Sequence, residues 1–179
     1  APPVDYRPEP MEQLDEETYR DSEGHLYHIS STTHDLMPYQ RNVEAYVPPT
    51  LESVQEEIDQ LEGEPVGDPS DSEWELVRPA VAEMGNTHFV MLLCSDVAFP
   101  GFGATEEEFW MNLLLEPEIC RKLAERQGKR LLRQIPLYAQ LGVDGIMPCG
   151  DLGSSTGMLA SPQIYREMVY PWNKAQADE

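Results

Sequence analysis

Two short stretches of this chain place a cysteine and then an acid at the end of an apolar run. The run HFVMLLCSD leads to Cys94 and Asp96, and the run GIMPC ends at Cys149, two residues before Asp151. A carboxylate at the end of a buried strand can orient a substrate, exchange a proton or hold a cation. The simpler alternative is that each carboxylate binds backbone N–H groups of its own loop, and the spacing favours this role for Asp96. We therefore take Asp151 as the candidate catalytic residue, and as candidate substrate-binding residues Asp96, Cys149 and Ser154.

The sequence assigns no metal ligand. Its three cysteines are an odd number and lie far apart, with no C-x-x-C or H-x-C pattern, which argues against a disulfide framework and against a complete zinc site. Cys94 and Cys149 form a candidate metal pair, but buried free cysteine is common, so ordinary packing is the favoured role. His25 and His28 lie on a predicted hairpin at a spacing that turns them to opposite faces. We expect them to be surface or packing residues.

Charge and composition exclude some partners. The formal net charge is −21, and residues 1–75 hold 20 acids against three arginines, which is −17. Such an acidic surface repels phosphate backbones, so we expect no nucleic-acid partner. No apolar run approaches the ~20 residues that a membrane span needs, and the N-terminus lacks a basic-then-apolar signal pattern. We therefore expect a cytoplasmic protein with no membrane partner, and, since the chain starts with Ala1, a part of a longer protein.

Residues 1–63 are predicted to form an extended lead-in, a hairpin and an acidic helix. The lead-in is rich in proline and shows no periodicity. The segment YRDSEGHLYHI has two β-prone arms around a turn in which Gly24 supplies a positive φ. Thr50 is the predicted N-cap of a helix that ends before Gly63 and exposes one acidic face. Its apolar positions recur at helical spacing at Leu51, Val54, Ile58 and Leu61.

Residues 64–179 are predicted to alternate helices with strands after the Pro/Gly/Ser-rich connection EPVGDPSDS. The expected order begins with a helix over 73–84, disturbed by Pro79, and a strand within HFVMLLCSD that is buried on both faces. A short helix capped by Thr105 and Glu108 follows, and then a long helix that starts at Pro117 and kinks at Pro136. A second strand in GIMPC and a last helix capped by Ser161 complete the order. The basic face of the long helix is predicted to be a solvated outer face, because acids lie close in sequence.

Strands separated by helical crossovers of this length pair in parallel, as in doubly wound sheets and (β/α)8 barrels. The sequence therefore predicts an α/β fold. Two strands alone cannot form a sheet that is buried on both faces, so we expect the missing strands on a longer parent chain. In both architectures chemistry collects at the carboxyl ends of the strands, which is where Asp96 and Asp151 fall.

A combined pattern runs from Leu113 onward: a helix ending in LGVDG, a strand, a DLG turn with small residues, and the helix SPQIYREMVYP. Upstream, YRDSEGHLYHI and VPPTLESVQEEI follow in the order of a hairpin and a helix. This combination resembles the uroporphyrinogen decarboxylase superfamily, and it is more specific than any of its pieces. The matched positions are Gly142, Asp144, Gly145, Asp151, Leu152, Gly153, Ser161, Pro162, Tyr165, Arg166, Glu167 and Pro171.

The resemblance implies a (β/α)8 barrel of which this chain is about the middle half, with the N-terminal β-hairpin as an insertion. The superfamily contains porphyrin decarboxylases and corrinoid-dependent methyltransferases that move a methyl group to a thiol or pterin acceptor, several of them with zinc. The turn CGDLGS is more similar to the methyltransferase branch, because the decarboxylase branch usually has FDSWAG at that strand end.

We therefore expect a methyltransferase-like enzyme whose substrate is a small molecule or a corrinoid protein. Two alternatives stay open: a uroporphyrinogen decarboxylase of tetrapyrrole biosynthesis, and a non-catalytic fragment that binds the missing half of the barrel. The zinc ligands implied by the resemblance, an H-x-C motif and a later cysteine, would follow Glu179. Zinc and a corrinoid are thus implied for a longer parent, and neither is assigned to a residue of this chain.

Overall fold

The computed structural model describes residues 10–40 and 42–179, so most of the predicted lead-in lies outside the described residues. The strands are β1 (Glu12–Gln13), β2 (Thr18–Arg20), β3 (Leu26–Ile29), β4 (Leu36–Gln40), β5 (Met91–Cys94), β6 (Gly145–Pro148), β7 (Gly153–Ser154) and β8 (Gly157–Met158). The α-helices are α1 (Leu51–Leu61), α2 (Val77–Met84), α3 (Glu106–Leu115), α4 (Pro117–Leu141), α5 (Pro162–Ile164) and α6 (Tyr170–Asp178). Short 3-10 helices lie at Val43–Ala45 and Ser72–Trp74, and a π-helical turn at Tyr165–Val169 joins α5 to α6.

The predicted hairpin is confirmed and belongs to a larger antiparallel sheet. β2 and β3 pair with Thr18 opposite His28 and Arg20 opposite Leu26, and β1 and β4 extend the sheet in the order β1-β2-β3-β4. The sequence pattern does not predict β4, because Pro38 lies in its centre. Proline is tolerated at the edge of a sheet, where no ladder hydrogen bond is lost on the solvent side, and β4 is an edge strand.

Helix α1 joins the N-terminal part to the rest of the chain. Thr50 and Ser53 form a reciprocal capping box at its start, which satisfies two backbone donors that have no partner inside the helix. Val54 and Ile58 are buried against Leu123 of α4. The two parts of the chain therefore share a core, and burying these side chains supplies ~1.5–3 kcal/mol each.

The acidic face of α1 and the basic face of α4 are paired rather than wholly solvated. The Arg126 guanidinium forms an ion pair with Glu57, and Nζ of Lys122 donates to Oε1 of Gln55 at 2.7 Å. Lys122 also pairs with Glu125 of its own helix at 2.8 Å. Partly exposed pairs of this kind contribute at most ~1 kcal/mol each to the free energy of unfolding. Their main effect is therefore on the relative orientation of α1 and α4.

Pro79 differs from the expectation, and the kink at Pro136 stays a prediction. Helix α2 begins at Val77, so Pro79 falls in the first turn, where its missing N–H has no intrahelical partner to lose. The predicted disturbance of this helix is therefore wrong. Helix α4 continues through Pro136 and ends at Gly142 in the left-handed conformation, φ 78°. No helix in the two described ranges combines the length and the apolar character needed to cross a bilayer.

β5 and β6 form a two-stranded parallel sheet, covered on one face by α4. Cys94 packs there with Tyr138 and Leu141. On the opposite face, Met91 is 50% exposed and Leu93 is 65% exposed. The prediction that this strand is buried on both faces is therefore wrong for this chain, because a single helical layer covers the pair. The α/β class is confirmed, and residues 10–40 and 42–179 form no closed barrel.

The last helical segment closes the main core. Oγ of Ser161 accepts the N–H of Ile164 at 3.3 Å, as predicted for an N-cap. Trp172 of α6 packs against a cluster of buried residues from the loop after β5 and from α3, α4 and the π-helical turn. These residues are Val97, Phe99, Leu113, Cys120, Ala124, Leu131, Met168 and Val169. The loop that follows β5 is thus part of the core.

Candidate functional site

The carboxyl ends of β5 and β6 meet at one edge. Cys94 lies opposite Pro148 in the parallel register, and the N–H of Cys149 donates to the carbonyl of Cys94 at 3.1 Å. At the amino ends of β5 and β6, Asp144 makes two hydrogen bonds to the backbone of Val90. Its N–H donates to the Val90 carbonyl at 2.9 Å, and its Oδ2 accepts the Val90 N–H at 2.8 Å. The prediction of neighbouring strands that run in the same direction is confirmed.

Asp96 is the half-buried acid of this edge. Its carboxylate lies directly against Gly150, and a Cβ at that position would overlap both carboxylate oxygens. Burial raises the pKa of Asp96 above its ordinary value, its own backbone N–H offsets part of this, and the negative charge of Asp151 raises it further. A larger residue at position 150 would therefore displace the Asp96 carboxylate from its present place.

Asp151 is exposed to solvent, and its charge acts on Asp96. The sequence pattern made Asp151 the catalytic candidate and favoured a turn role for Asp96. In the structure Asp96 is the half-buried residue of the two, and Asp151 is the solvent-exposed one. Two acids in unequal surroundings can take different roles in an enzyme.

The two cysteines at this edge also differ in their exposure to solvent. Cys94 is buried, and burial raises the pKa of its thiol, with smaller contributions from Cys149 and Asp96. The predicted packing role of Cys94 is confirmed by its contacts with α4. Cys149 is exposed, so its thiol is accessible. The residues that the structure describes hold no group of three or more His, Cys, Asp or Glu side chains able to bind a metal ion.

Ser154 lies in the β7–β8 hairpin that follows Asp151. Its Oγ contacts Oγ1 of Thr156 at 3.0 Å and accepts the N–H of Thr156 at 3.3 Å. The hydroxyl is thus engaged in its own turn, and a substrate would have to compete with these bonds. Binding of a substrate by Ser154 stays a prediction.

The loop that carries Asp96 is fixed from the last helix. The N–H of Val97 donates to Oδ1 of Asn173 at 3.3 Å, and Val97 and Phe99 are buried. Asn173 was missed by the sequence analysis, because an asparagine in an amphipathic helix shows no local sign of a partner 76 positions away. The contact holds the residue next to Asp96 in place.

A cavity of about 660 Å³ lies between this loop and helices α1 and α4. Asp96, Phe99 and Phe102 line it on one side, and Arg126 and Glu57 line it on the other. Its volume lies within the range of small-molecule sites. The sequence analysis placed Arg126 on the outer face of α4. Its spacing of three residues from the buried Leu123 is the signal that places both on one side of the helix.

Comparisons of the chain with protein-family models, with curated proteins and with solved structures give no match.

Proposed function

We propose that this chain is a methyltransferase-like member of the uroporphyrinogen decarboxylase superfamily, with Asp96, Cys149 and Asp151 in its active site. The observation that carries the proposal is the parallel pairing of β5 and β6, which brings two acids in unequal surroundings to one edge. The motif pattern around Asp144 and the CGDLGS turn supports the methyltransferase branch.

The two acids suit different roles in methyl transfer to a thiol. When the sulfur gains a methyl group it loses its proton, and that proton needs an acceptor. A carboxylate whose pKa is raised binds a proton more readily, so Asp96 is the acceptor in this proposal. Asp151, which is exposed, accepts a hydrogen bond from the incoming substrate and orients it.

The resemblance implies a zinc ion and a corrinoid, and the residues of this chain bear differently on each. The described residues do not fit a zinc site, because they supply no set of three ligands, so no step of the proposal uses zinc. The corrinoid would supply the methyl group when bound, and no residue of this chain is assigned to hold it.

Porphyrin decarboxylation is the second candidate, and one observation favours it. Arg126 and Asp96 line the same cavity of about 660 Å³. An arginine can bind the acid side chains of a tetrapyrrole, and a carboxylate can stabilise cationic pyrrole nitrogens. Against this role, Arg126 is already paired with Glu57.

The test is an assay of the full-length protein with methylcobalamin plus a small thiol, and separately with uroporphyrinogen. We expect methylation of the thiol, and we expect Asp151→Asn to lower its rate at least about tenfold, or ~1.4 kcal/mol in the barrier. Asp35→Asn is the matched control, because Asp35 is exposed in the turn before β4. Turnover of the porphyrin alone would reverse the ranking, and turnover of neither substrate would favour a non-catalytic fragment.

A further inference from the structure

The turn before β3 holds a histidine in one orientation. Nδ1 of His25 lies 3.0 Å from Oδ2 of Asp21, whose side chain is only 12% exposed. Oδ1 of Asp21 accepts the backbone N–H of Glu23 at 3.0 Å and that of His25 at 2.8 Å, and the Tyr27 hydroxyl donates to Oδ2 at 3.2 Å. Three hydrogen bonds from other groups fix the Asp21 carboxylate. The contact with this carboxylate in turn fixes the orientation of the His25 ring.

The charge of Asp21 decides which ring nitrogen carries the proton. Burial acts to raise the pKa of Asp21, but the hydrogen bonds from His25 and Tyr27 outweigh it and lower the pKa. An ionised carboxylate only accepts hydrogen bonds, so the proton lies on Nδ1 of His25 and the Nε2 of the neutral ring is an acceptor. Within the described part of the chain, the polar contacts of the His25 ring are made through Nδ1.

This histidine lines a cavity of about 480 Å³ that is not part of the Asp96 edge. Tyr27, Tyr46 and Pro38 supply flat or apolar walls, and Glu23 supplies a carboxylate. Among the described residues, no lysine or arginine lines it. A volume of this size with a few polar groups is typical of small-molecule sites, and the Glu23 carboxylate attracts a cationic group more than an anionic one.

A second cavity of about 650 Å³ adjoins the first and shares Pro38, Gln40 and Ala104 with it. Phe109 and Trp110 of α3 supply its aromatic wall. Together the two cavities form a cleft between β4 and the start of α3. Aromatic faces of this kind bind flat apolar groups, and they attract cations.

We propose that this cleft, defined by His25, Tyr27, Tyr46, Phe109 and Trp110, binds a small amine or alcohol with an aromatic body that donates a hydrogen bond to Nε2 of His25. The ligand's flat part lies against the aromatic walls, and Glu23 favours a cationic head. Asp21 is a positioning residue, because it acts by orienting the ring of His25.

The first test needs no ligand. Long-range ¹H–¹⁵N NMR spectra of the whole chain at a pH where His25 is neutral report the tautomer of each histidine. We expect the Nδ1–H form for His25, and we expect Asp21→Asn to weaken that preference while preserving the shape of the side chain. A predominant Nε2–H form in the unmodified protein would overturn the proposal.

The second test uses three probes with the same aromatic body: phenethylamine, 2-phenylethanol and phenylacetate. In NMR titrations, the amine and the alcohol are expected to shift His25 and to saturate, with phenylacetate binding at least tenfold more weakly. His25→Gln should weaken binding of the amine at least tenfold. His28→Gln is the matched control, because His28 lies two positions into β3 beside Glu17 and does not line the cavity.

The outcomes that overturn the proposal are specific. Equal binding of the amine and of phenylacetate would show that the cleft does not select by charge. Unchanged binding by a folded His25→Gln variant would show that Nε2 is not the acceptor. If His25→Gln does not fold, Asp21→Asn takes its place, and unchanged amine binding by that variant together with an unchanged tautomer would contradict the role of the pair.

Discussion

Gly128→Ala is expected to destabilise the protein, although alanine is the better helix former inside α4. Helix propensity alone favours alanine by ~1 kcal/mol. Gly128 is buried, however, and an added Cβ would overlap the ring carbons of Trp172. Overpacking of this kind costs ~1–3 kcal/mol, and more where the neighbour cannot move. Trp172 packs into the main core cluster, so we expect a net loss of up to about 2 kcal/mol.

The assay is urea unfolding followed by circular dichroism and by tryptophan fluorescence. Gly63→Ala is the matched control, because the atom nearest to its added Cβ is the Gln60 carbonyl oxygen at an ordinary 3.7 Å. That variant should be as stable as the unmodified protein or slightly more stable. If Gly128→Ala were as stable as Gly63→Ala, Trp172 would not pack on α4 as described, and the support of α6 for the Asp96 loop would be wrong.

Three further predictions follow from burial and charge. Ile58→Ala, at 2% exposure, should cost ~2–4 kcal/mol of unfolding free energy, while the exposed Leu51→Ala should cost under ~1 kcal/mol; equal losses would contradict the α1–α4 packing. At pH 8, iodoacetamide with mass spectrometry should find Cys149 alkylated first and Cys120 protected, because burial raises the pKa of the Cys120 thiol to about 11; alkylation of both at one rate would refute this. The pKa of Asp96 is raised in the folded state, so its protonated form favours folding and stability is lost as pH rises from the ordinary value, 3.8, through the raised one. Asp96→Asn removes this loss, so the variant should gain more in urea midpoint over the unmodified protein at pH 7 than at pH 4. An equal gain at the two pH values would contradict the burial of this carboxyl.

Local patterns predicted the elements that depend on local physics. Thr50 and its following apolar positions identified α1, and Pro117 with Gly142 marked the two ends of α4. The hairpin followed from the Gly24 turn, and the φ of 85° at that residue agrees. The parallel pairing of β5 with β6 followed from the length of the helical crossover between them.

Features that depend on distant contacts could not be predicted in this way. The exposure of Leu93 depends on which layers cover the sheet, and an apolar run alone does not show this. The raised pKa of Asp96 depends on its burial and on the charge of Asp151, and both arise from the packing of distant segments. Asp21 and His25 are close in sequence, but a cavity beside them forms only when Tyr46 and Ala104 arrive from elsewhere.

The candidate site likewise divides into a predicted and an unpredicted part. Asp96, Cys149 and Asp151 were identified from their position after apolar runs, and the structure brings them to one edge. Arg126 and Asn173 come from helices, where a polar residue is the usual occupant of any outward position. Their contacts with the Asp96 loop and its cavity depend on how α4 and α6 pack.

The candidate site depends on the ends of β5 and β6 bringing the Asp96 and Asp151 carboxylates close enough for their charges to interact. The most direct measurement is a carboxyl ¹³C NMR titration of Asp96 in the unmodified protein and in Asp151→Asn. We predict a pKa for Asp96 above its ordinary value, and a lower pKa once the charge of Asp151 is removed. An ordinary pKa that does not respond to Asp151→Asn would contradict the shared edge.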